Sequence, residues 1–419
     1  MTGSPRPFLL GVRLAAPLLE GAPAAESDEH AGPDGFAGPD AFGGLDGFVR
    51  AARLADESGL SYVAVAEGGF ASMAGPELAA YLARKTVQTG ILSSAESHYA
   101  EPFHVAKAAA TLDFVSGGRA GLEVRAARSP QLDAAFPAAL PLELDELAEQ
   151  GAEFVAVVRE LWDSWEDGAE LRDAPSGRYL DSAKLHHIAH AGPYFTVRGP
   201  LITPRPPQGQ PPIVVSVTAA DMFAAGPARL AFLLSADALL LPDLPQTSAG
   251  SAVVAASSVA AFAARLAAAS AAAAAASSAA AVVDSGYRMP ALLIQLADDA
   301  VGASADPRTT GLHDAEDAAA DPRTDGLHDA SARPASHAVA RALALLDEGT
   351  VTGVEFASAA QLAAALTHPD WPALAAAVTA TAAPAPAPAE PSTAAATLGG
   401  PQTLRERFAL GRPASRYSR

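Results

Sequence analysis

The chain has 419 residues, is 50% hydrophobic, carries a formal net charge of −19 and contains no cysteine. Its length admits one large barrel domain or two smaller domains. The acidic balance argues against nucleic acid and anionic membranes as partners, and the missing thiols exclude disulfides, thiolate metal sites and cysteine nucleophiles.

Met1–Pro7 lacks a basic start followed by an apolar run, so no signal peptide is expected. The apolar run Ala252–Val283 is mostly Ala and Ser and is broken by Arg265. It lacks the transfer energy of a membrane span, and a cytoplasmic protein is expected.

Phe8–Val12 predicts a first buried strand. The loop Glu20–Gly44 repeats Ala-Gly-Pro-Asp at 31–34 and 37–40, a local low-complexity duplication. Leu45–Gly59 predicts a helix with Phe48, Ala51 and Leu54 on one face and Gly59 at its C-terminal cap. Leu60–Ala66 predicts a strand ending at Glu67, a candidate site residue because ligands bind at the carboxyl ends of parallel strands. Pro76–Thr86 predicts a helix, and Val87–Ser93 a third strand, whose end is rich in hydroxyls at Ser93, Ser94 and Ser97. His98 follows, as a proton donor, a substrate contact or a structural histidine.

The segment Glu101–Val124 (EPFHVAKAAATLDFVSGGRAGLEV) organises the rest. Val105, Ala109 and Leu112 share a helix face, Ser116-Gly-Gly-Arg119 reverses the chain, and Leu122 and Val124 begin a strand. This is the repeating unit of an α/β barrel or a doubly wound sheet. Asp145–Trp165 predicts a long helix with Phe154, Val157, Val158, Leu161 and Trp165 buried. Trp162–Gly209 then makes an excursion with hairpin character around Tyr194, Thr196 and Val197. His186, His187 and His190 invite a metal hypothesis, but no acidic ligand stands at zincin-like spacing, and no metal is expected.

Pro211–Val217, Ala236–Pro242, Pro290–Leu296 and Val351–Phe356 predict the fifth to eighth strands. A helix at Ala224–Leu234 and a weakly specified Ala/Ser helix at Ser251–Val283 lie among them, and Ala338–Glu348 predicts a further helix. The sequence DPRTTGLHDA at 306–315 returns as DPRTDGLHDA at 321–330, which reads as a recent loop duplication. The domains expected are a barrel at 1–378, a semi-rigid Pro/Ala linker at 379–400 and a basic C-terminal tail at 401–419, which docks on the acidic protein itself or on a second subunit.

Several stretches resemble one family. EPFHVAKAAATLDFVSGGRAG, the WDSWEDGA segment from Trp162, HAGPYFTVRGPL with PPQGQPP, and the ending TLRERFALGRPASRY are similar to bacterial-luciferase-like flavin-dependent monooxygenases. Within these the similarity is to the nitrilotriacetate monooxygenase branch. The resemblance covers about three quarters of the chain and implies a (β/α)8 TIM barrel with an insertion hairpin near 180–200. It implies reduced FMN, supplied in trans by a flavin reductase, and oxygenation of a small-molecule substrate. A homodimer is a further expectation. No catalytic residue is assigned.

Carried over by position, the resemblance implies cofactor contacts at Glu67, Ser93, Ser94, Glu123, Val124, Ala127, Thr218 and Ala219. Several depart from the family pattern. Leu122–Ala127 stands where the branch has WNVVTS. Val215–Ala219, followed by Ala220 and Asp221, stands where the family has QAGxS with a following Gly and a basic residue that help hold the phosphate. Ala148 replaces a tyrosine, and the histidines after the first strand have no counterpart. Arg125 and Arg229 are the candidate compensating charges. The alternative reading is a family-derived barrel that has lost flavin binding and serves as a partner or scaffold.

Overall fold

The computed structural model describes residues 9–14, 44–66, 75–137, 139–242, 251–276, 290–296, 341–342, 351–357, 359–381 and 402–418. Eight strands close into an all-parallel barrel. In chain order they are β1 (Leu9–Leu14), β2 (Tyr62–Val65), β3 (Gly90–Glu96), β4 (Ala120–Arg125), β5 (Ile213–Ser216), β6 (Ala238–Pro242), β7 (Ala291–Gln295) and β8 (Gly353–Phe356). Each pairs with its chain-order neighbours, and β1 closes on β8 with Leu9 opposite Gly353. This is the TIM barrel that the resemblance implied.

Helices wrap the outside: α1 (Gly44–Glu57), α2 (Gly75–Ala83), α3 (Pro102–Ser116), α4 (Pro130–Ala135), α5 (Leu144–Asp163), α6 (Ala219–Ala224), α7 (Pro227–Leu234) and α8 (Ser251–Ala276). Alternate strand residues face them. Val12, Val63, Ile91, Val124 and Val215 belong to the large sheet–helix core, while Leu9, Tyr62, Leu92, Val214 and Leu293 form a second cluster inside the barrel. Two antiparallel hairpins, Glu170–Asp173 with Arg178–Leu180 and His190–Ala191 with Thr196–Val197, make up the insertion before β5.

Local chemistry explains the turns. Gly117 and Gly118 have φ of +71° and +87°, the left-handed region that the Gly-Gly reversal requires. Arg119 then gathers carbonyls left open at the end of α2, donating to Ala83 O at 2.9 Å, Thr86 O at 3.3 Å and also to Thr89 O. Asp113 accepts the Gln208 amide at 3.0 Å, the Gln208 side chain at 2.6 Å and the Ala120 amide at 3.3 Å. Gln208 Oε1 in turn accepts from Arg405 N at 2.7 Å. Three distant stretches are thus tied together at the amino-terminal end of the barrel.

The tail docks there. Leu404, Phe408 and Leu410 close the bottom of the barrel interior. Gly121 makes room, since a Cβ on it would stand 2.9 Å from Leu404 Cδ2. Arg412 pairs twice with Asp167 at 2.7 Å, Arg416 reaches Glu160 at 2.9 Å, and Tyr417 stacks on His186 with ring centroids 4.2 Å apart. The basic tail therefore packs on acidic residues of its own chain.

Some expected boundaries move. β3 starts at Gly90 rather than Val87, because the Asp56 carboxylate accepts the amides of Val87, Gln88 and Thr89 at 2.7–2.8 Å and holds them in a turn. The helix expected at Ala224–Leu234 starts at Pro227 as α7, where proline opens a new helix, and a separate short helix, α6, ends at Ala224 before it. The duplicated segment 306–330, the loop 20–43 and most of Ala338–Glu348 lie outside the described residues.

Candidate active site at the carboxyl ends of the strands

In β strands alternate residues face the same side, so Arg13, Ser94, Glu123, Ser216, Gln295 and Glu355 project into the upper barrel from β1, β3, β4, β5, β7 and β8. They form one hydrogen-bonded layer. Arg13 donates to both oxygens of Glu123 at 2.9 and 3.1 Å and to Glu355 Oε1 at 2.9 Å. Ser94 and Ser216 donate to Glu123 at 2.7 and 2.5 Å, and Gln295 donates to Glu355 at 2.9 Å. Arg125 lies above, 3.5 Å from both Glu123 and Glu96, with its side chain 41% exposed.

The electrostatics follow from burial and pairing. Burial disfavours the Glu123 charge, but Arg13 and Arg125 outweigh it and hold the carboxyl down at about 2. Burial and the neighbouring Glu123 charge raise Glu355, against the pull of Arg13. Tyr62, pushed up first by burial, sits in the same interior. Its hydroxyl and Glu355 Oε2 are buried with no hydrogen-bond partner among the described residues.

A second cluster follows β5. Thr218 caps α6, accepting the Asp221 amide at 3.2 Å, while Asp221 Oδ2 accepts the Thr218 amide at 2.7 Å and its hydroxyl at 2.8 Å. Arg229 forks onto the same carboxylate at 2.9 and 2.8 Å and donates to Ala126 O at 3.3 Å. Beside the barrel mouth is a cleft of about 580 Å³, lined by His98, Tyr99, Phe136, Gln150, Tyr194 and Phe195 among others. His98 Nδ1 lies 2.9 Å from Gln150 Oε1.

Of the expected contacts, Ser94 and Glu123 meet inside the barrel. Ser93 shares a strand face with Ile91 and Ala95, toward the helices, and Val124 lies in that helix-facing core. Ala127 is exposed at the end of β4. Thr218 and Ala219 open α6, and Glu67 lies outside the described residues. Sequence reasoning missed Arg13, Glu355, Ser216 and Gln295. The available signal was the period of two in LLGVRL and GVEF, which places a charged residue on the same strand face as a glycine.

The three histidines of the excursion do not converge. His186 lies 2.7 Å from Glu166, His187 2.6 Å from Gly199 O, and His190 3.0 and 3.2 Å from Glu153 and Glu160. No group of three metal-ligating side chains occurs among the described residues. Nor, among them, is any helix long and apolar enough to cross a membrane.

Comparison with known proteins places this barrel. Residues 25–369 match the family model of the luciferase-like monooxygenases. The chain is 40% identical over 140 residues to N-acetyl-S-(2-succino)cysteine monooxygenase of Bacillus subtilis (strain 168), a match covering 33% of this chain and 32% of that one. It is 44% identical over 137 residues to nitrilotriacetate monooxygenase component A of Aminobacter aminovorans, covering 33% and 30%. The matches thus span about a third of these relatives. The solved EDTA monooxygenase from Chelativorans sp. BNC1 shares the fold, with a TM-score of 0.61 at 15% identity over 98% of this chain and 100% of that one. The chain belongs to the luciferase-like monooxygenase family.

Proposed function

We propose that this chain is the oxygenase component of a two-component system, using reduced flavin and O2 on a small organic substrate, with the flavin delivered by a separate reductase. The observation that carries the reading is the family match over residues 25–369 on a closed barrel whose polar side chains gather at the carboxyl ends of the strands. The relative named as component A of its monooxygenase fits the same division of labour.

FMN does not fit the described residues in the family manner. The floor beneath the mouth offers the Glu123 carboxylate, an acceptor that cannot donate to a flavin carbonyl, and the Ser94 and Ser216 hydroxyls both donate to it. At α6 the Asp221 carboxylate stands where a phosphate would need donors. These two clusters favour a second reading, a family barrel without catalysis that serves as a partner.

Anaerobic titration with reduced flavin, followed by absorbance and fluorescence, separates the two. Saturable binding in the micromolar range or tighter is expected. No binding up to about 1 mM, a free energy of only about −4 kcal/mol, removes the oxygenase reading and leaves the partner.

A further inference from the structure

We infer that the turn after β5, at the barrel mouth, selects against a phosphorylated ligand, and that the flavin this chain takes is one without a phosphate, such as riboflavin. The inference rests on the flavin reading above and narrows it.

A phosphate dianion is held by several N–H donors and positive charge. In the turn after β5, the Thr218 amide is committed to Asp221 Oδ2 at 2.7 Å and the Asp221 amide to Thr218 Oγ1 at 3.2 Å. Arg229 directs Nε and Nη2 to the two Asp221 oxygens and Nη1 to Ala126 O, and Arg265, the second arginine beside α6, is committed to Met222 O and Ala225 O. Asp221 and Arg229 are both buried, so the pair is shielded from solvent and does not exchange readily with an incoming anion. Asp221 thus plays the anion for its own helix and its own arginine.

A phosphate brought here would face a carboxylate of like sign and would have to break that pair. Further in, Glu123 is held ionised and Glu96 lies beside Arg125, so the mouth adds no net positive charge along β3 and β4. A neutral flavin tail avoids both costs. Its ribityl hydroxyls can donate to carboxylates, which a phosphate dianion cannot.

Fluorescence titration of the full chain with riboflavin and with FMN tests this, repeated on Asp221→Asn. Wild type is expected to bind riboflavin at least about tenfold more tightly than FMN, equivalent to about 1.4 kcal/mol. The amide introduced by Asp221→Asn keeps an oxygen for the Thr218 N–H, removes the negative charge and releases Arg229, so the preference should vanish or reverse toward FMN. Asp221→Ser provides the same comparison should the amide variant fail to fold. FMN binding to wild type as tightly as riboflavin, or more tightly, overturns the inference while leaving the flavin reading intact. A riboflavin preference unchanged in a folded variant overturns the role of Asp221. Failure of wild type to bind either flavin defeats the flavin reading itself, and this inference with it.

Discussion

Arg13 on β1 holds Glu123 on β4 through both terminal nitrogens, at 2.9 and 3.1 Å, across the inside of the barrel. Its Nε holds Glu355 as well, so one guanidinium is shared between two buried carboxylates, and Arg125 lies 3.5 Å from Glu123 as a second cation. Arg13→Met therefore leaves Glu355 without its cation in the interior and Glu123 with Arg125 alone. We expect a loss of about 3–5 kcal/mol in urea denaturation, the cost of breaking a buried pair from one side. The double variant Arg13→Met, Glu123→Leu should lose less stability than the sum of the two single losses, because it removes one of the two carboxylates that Arg13 held, leaving only Glu355 without that partner. Strict additivity would mean that the two side chains are not coupled.

The tail separates apolar from ionic docking. Leu404 is fully buried beneath the barrel, so Leu404→Ala should cost about 2–5 kcal/mol. Arg412 pairs with Asp167, whose side chain is half exposed, so Arg412→Ala should cost about 1 kcal/mol or less. Thermal unfolding of the two variants ranks them. The reverse order would make the tail an electrostatic clamp rather than a plug.

Asp113 gives a pH dependence with a definite sign. Burial pushes its carboxyl up from 3.8 to about 6, against the hydrogen bonds from Gln208 and Ala120. The native state then holds this proton more tightly than the unfolded chain. The contribution is full below about pH 4 and is lost as pH rises through about 6. Relative to wild type, Asp113→Asn should gain up to about 3 kcal/mol between pH 4 and pH 7, the weight of a shift of about two units. Denaturation at the two pH values reads it, and a constant difference would mean that Asp113 stays ionised throughout.

The stretches that made the family legible are structural. Asp113 and the Gly117-Gly118-Arg119 turn, Asp163 of the WDSW segment, Gln208 of PQG and Leu404 of the tail all act away from the strand ends that face the mouth. They cap α2, bind Arg205 at 3.0 Å, join Asp113 to Arg405, or seal the barrel floor. Apolar periodicity and glycine turns located the individual strand segments because such signals are local, while the count of eight and the closed barrel rested mostly on the family resemblance. Ser94 and Glu123 were named from the resemblance, but the layer they belong to was not legible, because it is assembled from six strands far apart in sequence. Arg13 lies just past the apolar run FLLGV, and nothing nearby in the chain announces that it will meet Glu123 or Glu355. The self-occupied turn at Asp221 was half visible, since the acid stands in the sequence but its pairing with Arg229 needs the break at Gly226-Pro227.

The reaction of reduced flavin with oxygen is the decisive measurement for the oxygenase reading. Reduced riboflavin and reduced FMN, each premixed anaerobically with the protein, would be mixed with aerated buffer in a stopped-flow instrument and reoxidation followed by absorbance. The protein is expected to change the reoxidation rate severalfold and saturably, with the larger effect on riboflavin. Reoxidation at the rate of free flavin, at protein concentrations far above the flavin, would contradict it.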